Sequence, residues 1–162
     1  MADLIKLDTI DERILGIIQE DSTLTVQEIG DRVGLSATPC WRRIKLMEAA
    51  GVIDRRVAIL NAPAVGLKAV VLVFVRTNRH EADWLEGFKA AIEDIPEIVE
   101  CHRLTGDIDY MLKCVVRDID HYDEVYKRLI ARSPGLADVS AAFSMERLKH
   151  VTRVDVTTAR QA

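Results

Sequence analysis

The chain of 162 residues lacks what marks several protein classes. Its longest apolar run, Ala69 to Val75, falls far short of the roughly 20 residues a membrane-spanning helix needs. Met1 to Asp11 carries Asp3, Lys6, Asp8 and Asp11 with no apolar stretch, so no secretory signal is expected and a cytoplasmic location is. The three cysteines, Cys40, Cys101 and Cys114, are odd in number and lack metal-ligand spacing. Each sits in an apolar or regular pattern, which predicts reduced core thiols rather than a disulfide framework. With 4 Pro and 8 Gly there is no collagen-like or disordered bias. His80, His121 and His150 are scattered near predicted element ends and read as solvated.

What is present is an apolar content of 49%, enough for compact cores, and a net charge of −4 that conceals a contrast. Residues 1–35 sum to −5, whereas residues 36–56 sum to +3 through Arg42, Arg43, Lys45, Arg55 and Arg56. A basic patch on an acidic protein is able to meet phosphates without binding every polyanion.

Ile10, Ile14, Leu15, Ile17 and Ile18 recur at helical spacing after Asp8 and Thr9, either of which can cap a first helix. Thr25 and Glu28 have the spacing of a capping box, which predicts a second helix running to about Val33. Gly34 supplies a left-handed terminator and Ser36 a cap for a third helix, with Pro39 tolerated in its first turn. Cys40, Ile44 and Met47 share one face of that helix, and Gly51 closes it. Three helices with a tight glycine turn between the last two are the sequence form of a helix-turn-helix. Val52 to Leu60 reads as a short extended piece or wing, and residues 61–67 as a linker.

Beyond the linker the period changes. Strands are expected over Lys68–Thr77, Ile98–Leu104, Tyr110–Val116 and Leu136–Met145. Helices carry Trp84 to Ile95 and Tyr122 to Ile130. The order βαββαβ is the split-βαβ, ferredoxin-like plan, so the fold class is α+β. The expected domains are 1–60 (helix-turn-helix, winged-helix-like), a linker at 61–67, and 68–162 (ferredoxin-like). Such a sheet has helices on one face, yet its first strand is apolar on both. Burying several hundred Å² of open apolar face against a second copy is worth on the order of 10 kcal/mol before association costs, so sheet-to-sheet dimerisation is expected.

Two segments carry a resemblance. Val33 to Ile44 (VGLSATPCWRRI) with Gly51-Val52-Ile53, and Glu100 to Tyr110 (ECHRLTGDIDY), are together similar to the leucine-responsive regulator and asparagine regulator (Lrp/AsnC) family of transcription factors. Trp41, Tyr122 to Leu129 and Ser133 to Leu136 look closest to a cysteine-responsive branch. The resemblance implies a homodimer assembling to an octamer, a double-stranded DNA partner, and an amino-acid effector held between subunits of the second domain. It places DNA contacts at Ser36, Thr38, Pro39, Trp41, Arg42, Arg43 and Lys45. Hydroxyls and free amides at the helix-three amino terminus suit phosphates, and Arg42, Arg43 and Lys45 are candidates for base edges or nearby phosphates. It places effector contacts at Thr105, Gly106, Asp107, Asp109 and Tyr110, a segment that otherwise reads as a hairpin turn.

The expected function is thus sequence-specific, effector-responsive regulation of amino-acid metabolism genes. The alternative is an architectural, nucleoid-compacting protein without effector response. An enzyme on the ferredoxin-like half would draw on Cys101, His102 and Asp107, but no triad, P-loop or zinc spacing occurs, so neither catalysis nor a metal or other cofactor is expected.

Overall fold

The computed structural model describes residues 6–157. The chain divides into two compact units, one holding the residues up to 59 together with those from 149 on, the other residues 60–148.

In the first unit, α1 (Thr9–Glu20) is capped by Asp8, whose side chain accepts from the Ile10 and Asp11 amides at 2.9 Å. Asp11 returns the favour to the Asp8 amide, so the box is built from two aspartates. α2 (Val26–Val33) starts on the expected Thr25–Glu28 box and stops at Gly34, whose φ of 78° is left-handed. α3 (Ala37–Ala49) begins after Ser36. Ile14, Ile29, Val33, Cys40, Ile44 and Met47 interlock as the core. Val52 to Leu60 forms no strand; it is irregular chain with Val57, Ile59 and Leu60 exposed.

The expected second domain ran to residue 162, but its last part belongs to the helical unit. The Gln19 side chain pairs in both directions with the Val154 backbone, at 2.8 and 3.2 Å, Arg153 pairs with Glu20, and Val156 packs on the helical core. The sequence hides this because Arg153, Val154 and Val156 form too short a stretch to carry a period. Residues 1–5 and 158–162, which the expected boundaries included, lie outside the described residues.

The linker folds as a 3-10 turn, Ala62–Val65. The second unit then runs β1 (Ala69–Thr77), α4 (Ala82–Glu93), β2 (Ile98–Arg103), β3 (Tyr110–Val116), α5 (Ile119–Arg132) and β4 (Leu136–Phe143). The sheet order is β2-β3-β1-β4, antiparallel throughout, as the ferredoxin-like plan requires. Val71, Val73 and Val75 pack with Leu112, Val116 and Phe88 to form the core beneath the helices.

Cross-strand partners share a face, so the register defines the other side. Leu72 sits between Ala142 and Lys113, and Phe74 between Ser140 and Met111. This open face is apolar where Leu72, Phe74 and Ala142 meet and charged on either side of them, where Arg76 pairs with Asp138 at 3.4 Å and, toward β2, Lys113 meets Glu100 at 2.5 Å. Cys101, expected in a core, is exposed because β2 is an edge strand. Cys40 and Cys114 are buried as expected.

Candidate nucleic-acid interface and ligand turn

Each residue of a helix turns about 100°, so Thr38, Trp41, Arg42 and Lys45 fall opposite the buried row of Cys40, Ile44 and Met47. All four are exposed, Trp41 by 51%. Among the described residues Arg42 has no ion-pair partner. Lys45 bonds Glu48 at 2.6 Å, one turn on, and holds that carboxyl below its usual range. An exposed pair of this kind is worth only about 0.2–1 kcal/mol, so Lys45 can exchange Glu48 for a phosphate at small cost. Ser36 occupies the N-cap position without a side-chain cap bond, contrary to the capping role expected of it, and Pro39 beside it is exposed. Its hydroxyl and the first amides of α3, which have no intrahelical acceptor, are available together.

Arg43 behaves differently from its neighbours. It turns to the flank of α3, where its Nη1 lies 2.8 Å from Asp8 and 2.8 Å from Asp11. Asp11 is largely buried at 14% exposure, and both carboxylates raise the affinity of Arg43 for its proton. The Asp11 amide, followed by Arg43, holds Asp8 below the usual carboxylate range. The basic run is therefore divided between an outward strip and one internal counter-ion. Spacing alone contained that signal, since Arg43 lies one residue before Ile44 on the helical wheel's border with the core.

In the second unit the expected effector residues also divide. Thr105, Gly106 and Asp107 are exposed at the tip of the β2–β3 turn, with Gly106 at φ 107°. Asp109 is committed to the fold. Its carboxylate accepts from the Thr77 amide at 2.8 Å, its amide donates to Val75 at 3.0 Å, and its carbonyl accepts from the Leu104 amide at 2.8 Å. Tyr110 is buried under the helices, its ring 4.9 Å from Phe88 and 6.1 Å from Trp84. Alternation with Leu112, Cys114 and Val116 already placed it on that face.

A further polar group escaped sequence reasoning. Glu97, ahead of β2, receives Arg128 at 2.7 Å and meets His121 Nε2 at 3.0 Å, so His121 is not the solvated residue expected. Burial pushes the Glu97 carboxyl up, but Arg128, its own amide and His121 outweigh this and hold it below the usual value. His121 and Arg128, seven residues apart on α5, share a face, which was the available signal. Among the described residues no cluster of three or more His, Cys, Asp or Glu side chains is placed to hold a metal, and no helix is long and apolar enough to cross a membrane.

Comparison with known proteins adds to this geometry. Residues 7–54 match the family described as winged helix-turn-helix DNA-binding, and residues 70–154 the Lrp/AsnC ligand binding domain. The chain is 49% identical over 147 residues to the glutamate uptake regulatory protein of Zymomonas mobilis, covering 91% of this chain and 89% of that one. The crystal structure of an AsnC family transcriptional regulator from Agrobacterium tumefaciens superposes with a TM-score of 0.90 at 48% identity, covering 94% and 99% of the two chains. That of the Neisseria meningitidis regulator in complex with L-Met superposes at 0.89 with 31% identity, covering 95% and 99%. A DNA-binding helical unit followed by a four-stranded ligand-binding unit, matched along nearly its whole length, makes this chain a member of the Lrp/AsnC family of transcriptional regulators.

Proposed function

We propose that the protein is a cytoplasmic, non-enzymatic regulator of amino-acid metabolism genes, acting as a homodimer or higher assembly that reads duplex DNA with α3 and responds to an amino acid bound between second units. The carrying observation is the outward strip of α3, where Thr38, Trp41, exposed Arg42 and lightly held Lys45 lie together on a helix fixed by a capped neighbour and a left-handed glycine turn. Ser36 and Thr38, with the first amides of α3, take the phosphate side beside Pro39, and Arg42 and Lys45 the base edges or adjacent phosphates. The exposed tip Thr105-Gly106-Asp107 is the candidate contact for the effector's ammonium or carboxylate, with Asp109 and Tyr110 shaping it from behind. The Neisseria relative's L-Met complex supports an amino-acid effector, and the Zymomonas relative's name adds glutamate to cysteine, leucine and asparagine as first trials.

Fluorescence anisotropy with the chain's own upstream DNA tests the reading. Specific binding that weakens steeply with salt and shifts with one amino acid is expected. Equal affinity for unrelated duplexes with no amino-acid response would favour the architectural alternative, and no binding would remove the reading altogether.

A further inference from the structure

We infer that Arg43 is a positioning residue rather than a DNA contact: it fixes the rotation of α3 by bonding the two aspartates that cap α1, and so sets where Trp41, Arg42 and Lys45 point. This rests on the DNA-reading role given to α3 above. Both aspartates approach the same nitrogen, Nη1, at 2.8 Å, so the contact is that of a point charge between two carboxylates and not a two-pronged fork. Those carboxylates are themselves fixed. Asp8 takes the Ile10 and Asp11 amides, and Asp11 takes the Asp8 amide, which leaves neither free to follow Arg43 if α3 rolls. Arg43 lies next to Ile44 of the helical core and Arg42 next to the outward strip, so a roll of α3 that turned Arg43 toward a groove would lift Cys40, Ile44 and Met47 out of their packing.

The inference makes predictions opposite in sign to those of a DNA-contacting arginine. Asp8→Asn with Asp11→Asn retains oxygens for the cap bonds and removes negative charge. If Arg43 touched DNA, freeing it from the aspartates would raise affinity; a positioning role predicts roughly a tenfold loss, the size of coupling common within one ion-pair network. Arg43→Met should lose a similar factor while the slope of log affinity against log salt stays unchanged, because no phosphate contact is lost. Arg42→Ala should reduce that slope by about 0.9 per phosphate contact removed. Arg43→Lys, which keeps a point charge but not a fork, should restore most of the affinity, whereas a guanine-reading arginine would not be replaced by it so readily.

The experiment is anisotropy of the full-length protein over a salt series, at a temperature where circular dichroism shows each variant folded. Higher affinity of the double aspartate variant, or a salt slope that falls by about 0.9 in Arg43→Met, overturns the inference and leaves the DNA-reading role standing. Absence of salt-dependent duplex binding by the unaltered protein overturns both. A loss of affinity in both variants at constant slope, rescued by lysine, supports it.

Discussion

Gly30 shows how one missing methyl group can decide a turn. It lies inside α2, where alanine is normally favoured over glycine by about 1 kcal/mol. Here a Cβ would stand 2.6 Å from the Leu35 carbonyl oxygen, and the Leu35 amide is bonded back to the Gly30 carbonyl at 2.9 Å. The neighbour is backbone and tethered, so it cannot yield. Gly30→Ala is expected to destabilise the helical unit by about 1–3 kcal/mol despite its better helix propensity, read as a lower thermal midpoint. Gly34 was legible in the sequence because a terminator has a local signature; Gly30 was not, because its reason is a contact with the Leu35 carbonyl made only once the chain has turned at Gly34. Asp109 is a similar case. Its spacing from Gly106 identified a turn, but nothing local announced the bond to Thr77 across the sheet. Asp109→Ala should therefore lower stability whether or not an effector is present, while Asp107→Ala should leave the thermal midpoint nearly unchanged and weaken only the shift produced by the amino acid.

Among the elements, the strands and helices themselves were legible in type and order, sharply where period and punctuation coincide: Thr25 and Gly34 bracket α2, and Pro134-Gly135 separates α5 from β4. The ends of α4 and α5, by contrast, fall two to three residues from those expected. What fixes one element upon another was less so. α5 is held at its flank by Glu97, whose Oε1 takes both Arg128 and His121. Because the folded carboxyl titrates below its ordinary value of 4.5, the folded state binds this proton less readily than the unfolded chain. Its stabilisation is fully present above that ordinary value and is lost as pH falls through the depressed folded one. Glu97→Gln is expected to cost about 1.5–3 kcal/mol near neutral pH, the range for a hydrogen bond to a charged group. The difference from the unaltered protein should shrink as pH is lowered into the acid range, which urea unfolding at several pH values measures. A constant difference at every pH would assign the loss to shape rather than charge.

At the scale of the molecule, the sequence carried the idea of an open apolar sheet face but not its asymmetry, because the register that places Lys113 beside Leu72 is a tertiary fact. The apolar part is the middle of the β1–β4 pair, where half-buried Leu72 and Phe74 lie beside small Ala142 and Ser140, the Arg76–Asp138 pair bounds it at one end, and Met145 and Leu148 stand exposed just past β4. Burial of such a face is worth on the order of 10 kcal/mol, of which association, at an estimated 4–15 kcal/mol, consumes a large part, so the dimer holds by a modest surplus. A modest surplus is easily removed by one charge. Leu72→Lys puts an ammonium in the apolar part, where a second copy would have to desolvate it twice across a symmetric contact. In a single chain Leu72 is only half-buried, and the long stem can carry its charge to water, so the fold itself should persist. Sedimentation should show the unaltered chain self-associating and Leu72→Lys shifted to monomer with unchanged circular dichroism. The shifted variant should also lose DNA affinity much more steeply than any α3 variant, because two helices presented together bind two half-sites at the cost of one encounter. A Leu72→Lys protein that remained fully assembled would show that the copies meet through a different surface.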